Sequence, residues 1–313
     1  MTHLPPPAHW QIRYPLSRIT TWRIGGPARF HAAPTTFEQL RRDLLAARRM
    51  GIPVLALGGG SNLLFPDEGY PGLVLRLPHP AEPVMPPRAE GGKPVLVTLA
   101  AGRPLAAEVR RLAAAGWGGL EWAEGIPGTV GGAIVNNAGA YGGTIAGILE
   151  SVEVVLPDGA TEDWAADRLE FAYRFSALKN QDPTRAFLTA ARFRLEPTSP
   201  EELEEKVSAI RDQRASKLPR EPSCGCVFRN PPGGVAGKLI EDVGLAGHQI
   251  GGARVSPQHA NFIINAGGAT ARDVREMIEL IRARVRAQSG HQLQLEVQVI
   301  GAPLADPDPD RAV

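Results

Sequence analysis

Cysteine is almost missing. The chain has two cysteines in 313 residues, Cys224 and Cys226, both within EPSCGCVFRN at 221–230. So few thiols exclude a disulfide framework, and no other Cys or His ligands lie close enough to complete a structural zinc site. A bond between cysteines two apart is strained. An excess of charge of one sign is missing too. Lys and Arg number 34 against 33 Asp and Glu, a net of +1. No broad basic field therefore exists to hold a nucleic acid, and any anionic ligand must be met locally. Long apolar runs are also missing: stretches such as PVLAL (53–57) fall far short of the ~20 residues that a membrane span needs. The opening MTHLPPPAHW lacks the charged-then-apolar pattern of an export signal. These absences predict a cytoplasmic protein with no membrane insertion, no nucleic-acid partner and no metal.

What is present is an ordinary globular balance, 43% hydrophobic and 21% charged, over a length that predicts two domains or three small ones. TFEQLRRDLLAARRMG (36–51) reads as a helix. Thr36 and Gln39 make a capping box, Phe37, Leu40 and Leu44 share one face, and Gly51 and Pro53 end it. VLAL (54–57), GLVLRL (72–77) and VLVTLAAG (95–102) read as strands, with a Pro/Gly loop at 78–94. PLAAEVRRLAAAG (104–116) is a helix with Pro in its first turn. Pro-Asp-Gly turns a hairpin over 152–164, and 186–195 is a further strand. Helices follow at 199–217, 235–244 and 270–290, the last capped by Thr270 and Asp273, with a strand at 260–265. QLQLEVQVI (292–300) alternates: Leu293, Leu295, Val297 and Val299 take one face, and Gln294, Glu296 and Gln298 the other.

Two glycine-rich blocks interrupt this pattern. Gly58-Gly59-Gly60-Ser61-Asn62 leaves a buried strand, and reads either as a tight turn or as a nest of N–H groups for phosphate. It is not a Rossmann fingerprint, since Leu63 stands where the third glycine belongs, and no Walker Lys-Ser/Thr follows. The second block, EGIPGTVGGAIVNNAGAYGG (124–143), has so much backbone freedom that ordering it is costly. Such freedom makes sense where backbone lies against a large phosphate-bearing ligand. Two such loops about 70 residues apart suit a dinucleotide.

Here the sequence resembles a known family. TTWRIGGPA (20–28), LGGGSNLL (57–64), GIPGTVGGAIVNNAGAYGG (125–143), FAYRFS (171–176), KLPREPSCGCVFRNP (217–231), AGKLIEDVGLAG (236–247), VSPQHANFIIN (255–265) and LEVQVIG (295–301) are together similar to UDP-N-acetylenolpyruvoylglucosamine reductases, in family order. The resemblance implies an α+β fold. Its FAD-binding domain is of the vanillyl-alcohol-oxidase (PCMH) type, in two lobes at 14–78 and 79–197. An α+β substrate-binding domain at 198–302 and a disordered tail at 303–313 follow. It implies non-covalent FAD held by Gly58, Gly59, Gly60, Ser61, Asn62 and Leu63, and by Gly125, Ile126, Pro127, Gly128, Thr129, Gly132, Ala133 and Asn137. NADPH is the implied hydride donor and a UDP-sugar the implied substrate, in a monomer. Only about ten residues separate YRFS from the strand at 186, so the chain resembles family members without a substrate-closing Tyr insertion.

The implied chemistry assigns three residues. Hydride delivery to the vinyl carbon of an enolpyruvyl ether leaves enolate-like charge beside the carboxylate, which needs a cationic partner and an acid. Arg174 matches the family's charge-stabilising arginine, and its fork suits a carboxylate. Glu296 matches a carboxylate at the flavin. Cys226 falls where the family commonly has the serine proton donor. An unperturbed thiol, with a pKa of about 8.5, is a far stronger acid than an alkanol. Cys224 reads as a packed small side chain. Tyr141, Lys217, Asn230 and His259 match positions around the UDP-sugar. A flavin oxidase on the same lobes and a nucleotide-sugar-binding protein without turnover are the rival readings.

Overall fold

Local signals place most of the helices. In the computed structural model, which describes residues 5–79, 93–180 and 186–301, Thr36 caps the helix Phe37–Arg49 by accepting the Gln39 N–H at 3.1 Å. Such a cap contributes about 1 kcal/mol. The Gln39 side chain reaches back to the N–H of Thr35 rather than that of Thr36. Leu40, Asp43, Leu44 and Ala47 form the buried face. Phe37, expected with them, is exposed; as the first helical residue it has no preceding turn to pack down on. Pro104 stands before the helix Leu105–Ala114, as its N-cap, rather than inside it. The helix Ala271–Ser289 has the expected reciprocal Thr270–Asp273 cap and ends at Gly290, where φ is 72°. The tail 303–313, most of the loop at 78–94 and part of the stretch before 186 lie outside the described residues.

The chain divides into two compact units that do not follow chain order. The first contains the described residues up to Ile12, together with Phe30–Gly59 and Pro71–Arg214. The second contains Arg13–Arg29, Gly60–Tyr70 and the described residues from Ala215 onward. In the first unit, Val54–Leu57 pairs in parallel with residues 73–76.

The first unit has two hydrophobic clusters. In one, Leu40, Leu44 and Ala47 pack with Phe30, Val54, Leu73 and Leu75. The other fills one face of an antiparallel sheet ordered Thr161–Ala165, Leu149–Val155, Phe187–Pro197, Val95–Ala100. Alternation is clear in its long strand: Ala191, Phe193 and Leu195 are buried, whereas Arg194 and Glu196 are exposed. The short helix Val130–Val135 packs on Phe187–Pro197 and Val95–Ala100. Glu108, fully buried, is held between Arg103 and Arg111, the pairing a buried carboxylate requires.

The second unit is built on the antiparallel sheet Ser223–Cys226, Phe262–Asn265, Ala253–Val255, Gln249–Ile250, with Ala271–Ser289 against it. Trp22 explains why an early segment belongs here. Its ring is 1% exposed, its indole N–H donates to Ile263 O at 2.7 Å, and its own carbonyl accepts from Asn265 Nδ2 at 3.0 Å. Leu63–Leu64 pairs in parallel with Gln298–Val299. The continuous strand expected at 292–300 is therefore not formed: only Gln298–Val299 is regular. Gln294 and Glu296 pair with Arg229 and Val227 before the chain turns to Leu63–Leu64. This change of partner breaks the alternation. Leu293 and Val297 are buried, but Leu295 and Val299 only half-buried.

Candidate functional site

In the first unit Gly58 and Gly59 lie backbone to backbone with the second glycine block. A Cβ on Gly59 would stand 2.6 Å from Gly128 Cα, and one on Gly58 would collide with the Thr129 hydroxyl. Gly60 alone in that loop needs glycine's left-handed φ, 62°. The surface beside Gly132 is open, a Cβ there meeting only Thr129 Oγ1 at 3.5 Å. The Val130, Gly131 and Gly132 amides already donate to Arg103 O, Ala101 O and Thr129 Oγ1. The cradle thus offers close backbone approach, not a bare helix end. The absent side chain at Gly132 leaves room there for a flat cofactor to approach the backbone. Asn137, expected among the cofactor contacts, has both ends of its side chain engaged by the protein: Nδ2 donates to Ala172 O at 2.9 Å and Oδ1 accepts the Ala146 N–H at 3.1 Å.

Arg174 sits in the same unit on a two-residue turn. Ala172 and Phe175 exchange backbone bonds of 3.1 Å, leaving Tyr173 and Arg174 at the tip. Arg174 has φ of 56°, a conformation that costs an L-residue roughly 1–2 kcal/mol. Ser176 Oγ donates to Val135 O, and Lys179 Nζ to Arg174 O. The turn is thus fastened on both sides, and Arg174 is half-buried. Tyr141 occupies a second two-residue turn, with Gly142, at φ values of 48° and 84°. Its ring is 46% exposed. Gly143 permits that hairpin to lie flat on Trp122, where any Cβ would collide.

The second unit holds the thiols and Glu296. Three steps from Ser223 to Cys226 oppose two from Ile264 to Phe262, so the strand is bulged, with Gly225 at φ 82°. A bulge of this kind separates neighbours onto opposite faces. Cys224 is buried among Val227, Ile263 and Met277, whereas Cys226 is half-buried. Burial, and then the Cys226 and Glu296 charges, push the Cys224 thiol well above the usual range, which suits an inert packing residue. Glu296 is brought to the bulge through its own amide, which donates to Val227 O at 2.8 Å. Its carbonyl accepts from Asn62 Nδ2 at 3.1 Å. The Glu296 backbone is therefore tied on one side to Val227, the residue after Cys226, and on the other to the Asn62 side chain.

The remaining expected residues are more scattered. Lys217 ends the helix Pro200–Lys217 and is exposed. Asn230 Oδ1 accepts the Ala236 N–H at 3.0 Å, capping the helix Ala236–Asp242. His259 packs its ring 4.7 Å from that of Phe262, and burial lowers its pKa. Its Nδ1 is buried without a partner among the described residues. One residue escaped the sequence reading: Asn261, 3% exposed, which grips both backbone groups of Phe228. Its place in QHANFIIN next to His259 was the available signal. Among the described residues no cluster of three or more His, Cys, Asp or Glu could hold a metal. None of the described helices is long and apolar enough to cross a membrane.

Comparison with known proteins places this geometry. Residues 28–164 match the FAD binding domain family, and residues 217–300 match the UDP-N-acetylenolpyruvoylglucosamine reductase C-terminal domain. The chain is 45% identical to the UDP-N-acetylenolpyruvoylglucosamine reductase of Chloroflexus aggregans over 91% of this chain and 96% of that one. It is 47% identical to that of Synechococcus sp. WH7803 over 93% of each. The crystal structure of the Thermus caldophilus UDP-N-acetylenolpyruvylglucosamine reductase superposes with a TM-score of 0.75 at 35% identity, covering 93% of this chain and 97% of that one.

Proposed function

The chain belongs to the UDP-N-acetylenolpyruvoylglucosamine reductase family, an FAD-dependent oxidoreductase family, and from that premise we propose that it reduces the enolpyruvyl ether of a UDP-N-acetylglucosamine with NADPH. The product is the lactyl ether, UDP-N-acetylmuramate, a peptidoglycan precursor. FAD, once held, would supply the hydride chemistry between NADPH and the substrate's vinyl group. The chain's own residues complete the reaction. Arg174 binds the substrate carboxylate through its fork and stays charged as the adjacent carbon gains negative charge. The Cys226 thiol gives its proton to that carbon and is left as thiolate. Glu296 orients the carboxyl end of the substrate. Gly58–Leu63 and Gly125–Ala133 offer backbone to FAD. Lys217 and Asn230 meet the diphosphate and sugar, and His259 and Tyr141 the rest of the nucleotide-sugar.

One observation supports the reading most: Cys226, the only half-buried thiol among the described residues, stands on a bulge whose next residue, Val227, accepts the Glu296 N–H, and the reaction needs an acid. The oxidase reading has no His or Cys in residues 57–64 for covalent flavin attachment. Anaerobic NADPH consumption that requires the enolpyruvyl sugar and yields equimolar lactyl ether tests the assignment. Consumption that needs oxygen and ignores the sugar refutes it.

A further inference from the structure

Four non-glycine residues of the first unit have left-handed backbone, Glu170 and three others that flank or carry one side-chain tie. Asn137 has φ of 41°, Tyr141 48° and Arg174 56°. Each such conformation costs roughly 1–2 kcal/mol in an L-residue and persists only where its surroundings hold it. Asn137 follows Asn136, the C-cap of the helix Val130–Val135. From there its buried amide bonds in two directions, to Ala172 O of the arginine turn and from Ala146 N, just beyond the hairpin that carries Tyr141. A carbonyl on one side and an N–H on the other fix which end is nitrogen.

We propose that Asn137 is a positioning residue for the reduction: its amide fastens the Tyr173–Arg174 turn to the end of the helix Val130–Val135 and so sets where the Arg174 guanidinium stands. The inference rests on the role proposed above for Arg174. The Ser176 hydroxyl fastens the far side of the same turn to the same helix, at Val135 O. Asn137 is the tie that also reaches the hairpin segment. Its effect on the reaction passes through the backbone of residues 172–174, so it acts on Arg174 and not on the cofactor.

The test compares Asn137→Ala and Asn137→Asp. The aspartate keeps the shape and the acceptor toward Ala146 but turns a charged oxygen onto the Ala172 carbonyl, so it replaces the attraction there by repulsion. Both variants should bind FAD normally and be reduced by NADPH at near the wild-type rate. Reoxidation by saturating enolpyruvyl sugar should slow by about 10²-fold, the usual effect of a misplaced catalytic group. A second readout does not depend on activity. Incorporation of 3-fluorotyrosine labels the four tyrosines, and the 19F signal of Tyr173 should shift or broaden in both variants while those of Tyr14 and Tyr70 stay put. An unchanged Tyr173 signal, or wild-type reoxidation in Asn137→Asp, overturns the inference. So does equal slowing of both half-reactions, which marks a merely structural residue. If the wild-type reduced protein is not reoxidised by the sugar, the proposed reaction fails. A displaced Tyr173 signal would then still support Asn137 as the fastener of the turn.

Discussion

Asn261 and Phe228 are joined by two hydrogen bonds: the Phe228 N–H donates to Asn261 Oδ1 at 3.0 Å, and Asn261 Nδ2 donates to Phe228 O at 2.8 Å. A single side chain thus does what a neighbouring strand would do. It fixes the segment that runs from the Cys226 bulge and whose Val227 carbonyl holds Glu296.

Replacing Asn261 by Ala leaves a buried amide and a buried carbonyl without partners. The expected loss is about 2–6 kcal/mol, since each unsatisfied group costs about 1–3. Denaturant unfolding measures it. A change within experimental error would mean that the segment is held by other contacts.

Cys226→Ala should lower turnover by about 10²–10⁴, the usual effect of removing a general acid, while NADPH still reduces the flavin. Cys226→Ser should keep measurable activity and lose the sensitivity to peroxide that an accessible thiol confers. Cys224 is shielded by burial and should not substitute as the target. Equal inactivation of wild type and Cys226→Ser by peroxide would remove the thiol from the account.

Arg174→Ala should slow reoxidation by substrate far more than it weakens binding of UDP. Arg174→Lys should recover little, because an ammonium cannot form the bidentate fork. A loss confined to affinity would contradict the role of Arg174.

The pH dependence of stability should carry a signature of His31. Burial, with the Arg76 charge adding to it, lowers its pKa from 6.5 to about 4. The unfolded chain therefore takes up a proton between pH 6.5 and about 4 that the folded protein refuses, and stability falls as pH drops through that window. One proton is worth at most ~1.4 kcal/mol per pH unit. His31→Gln should flatten the slope of unfolding free energy in that window. An unchanged slope would assign the loss to other groups.

The helices were legible because their caps are local. Thr36, Thr270 with Asp273, and Gly290 each act within a turn of the residues they stop or start. What the sequence could not display was partner choice over long distances. The alternation of 292–300 is real, yet the segment divides its bonds between Val227–Arg229 and Leu63–Leu64, and no local pattern records that. Likewise nothing near Trp22 announces Ile263 as its acceptor. The glycine blocks were legible as backbone meant for close approach. Which glycines serve conformation and which serve contact emerged only in three dimensions, Gly60 by its φ and Gly59 by the nearness of Gly128. The side chains of Asn62 and Asn137 bond to the carbonyls of Glu296 and Ala172, distant partners that composition cannot announce.

The most direct test of the whole account is a single anaerobic turnover followed by flavin absorbance. NADPH should bleach the yellow protein, and addition of the enolpyruvyl sugar, with oxygen still excluded, should restore the colour at the turnover rate in the wild type and far more slowly in Cys226→Ala and Arg174→Ala. A colour that returns only when air is admitted, or returns equally fast in all three proteins, would contradict it.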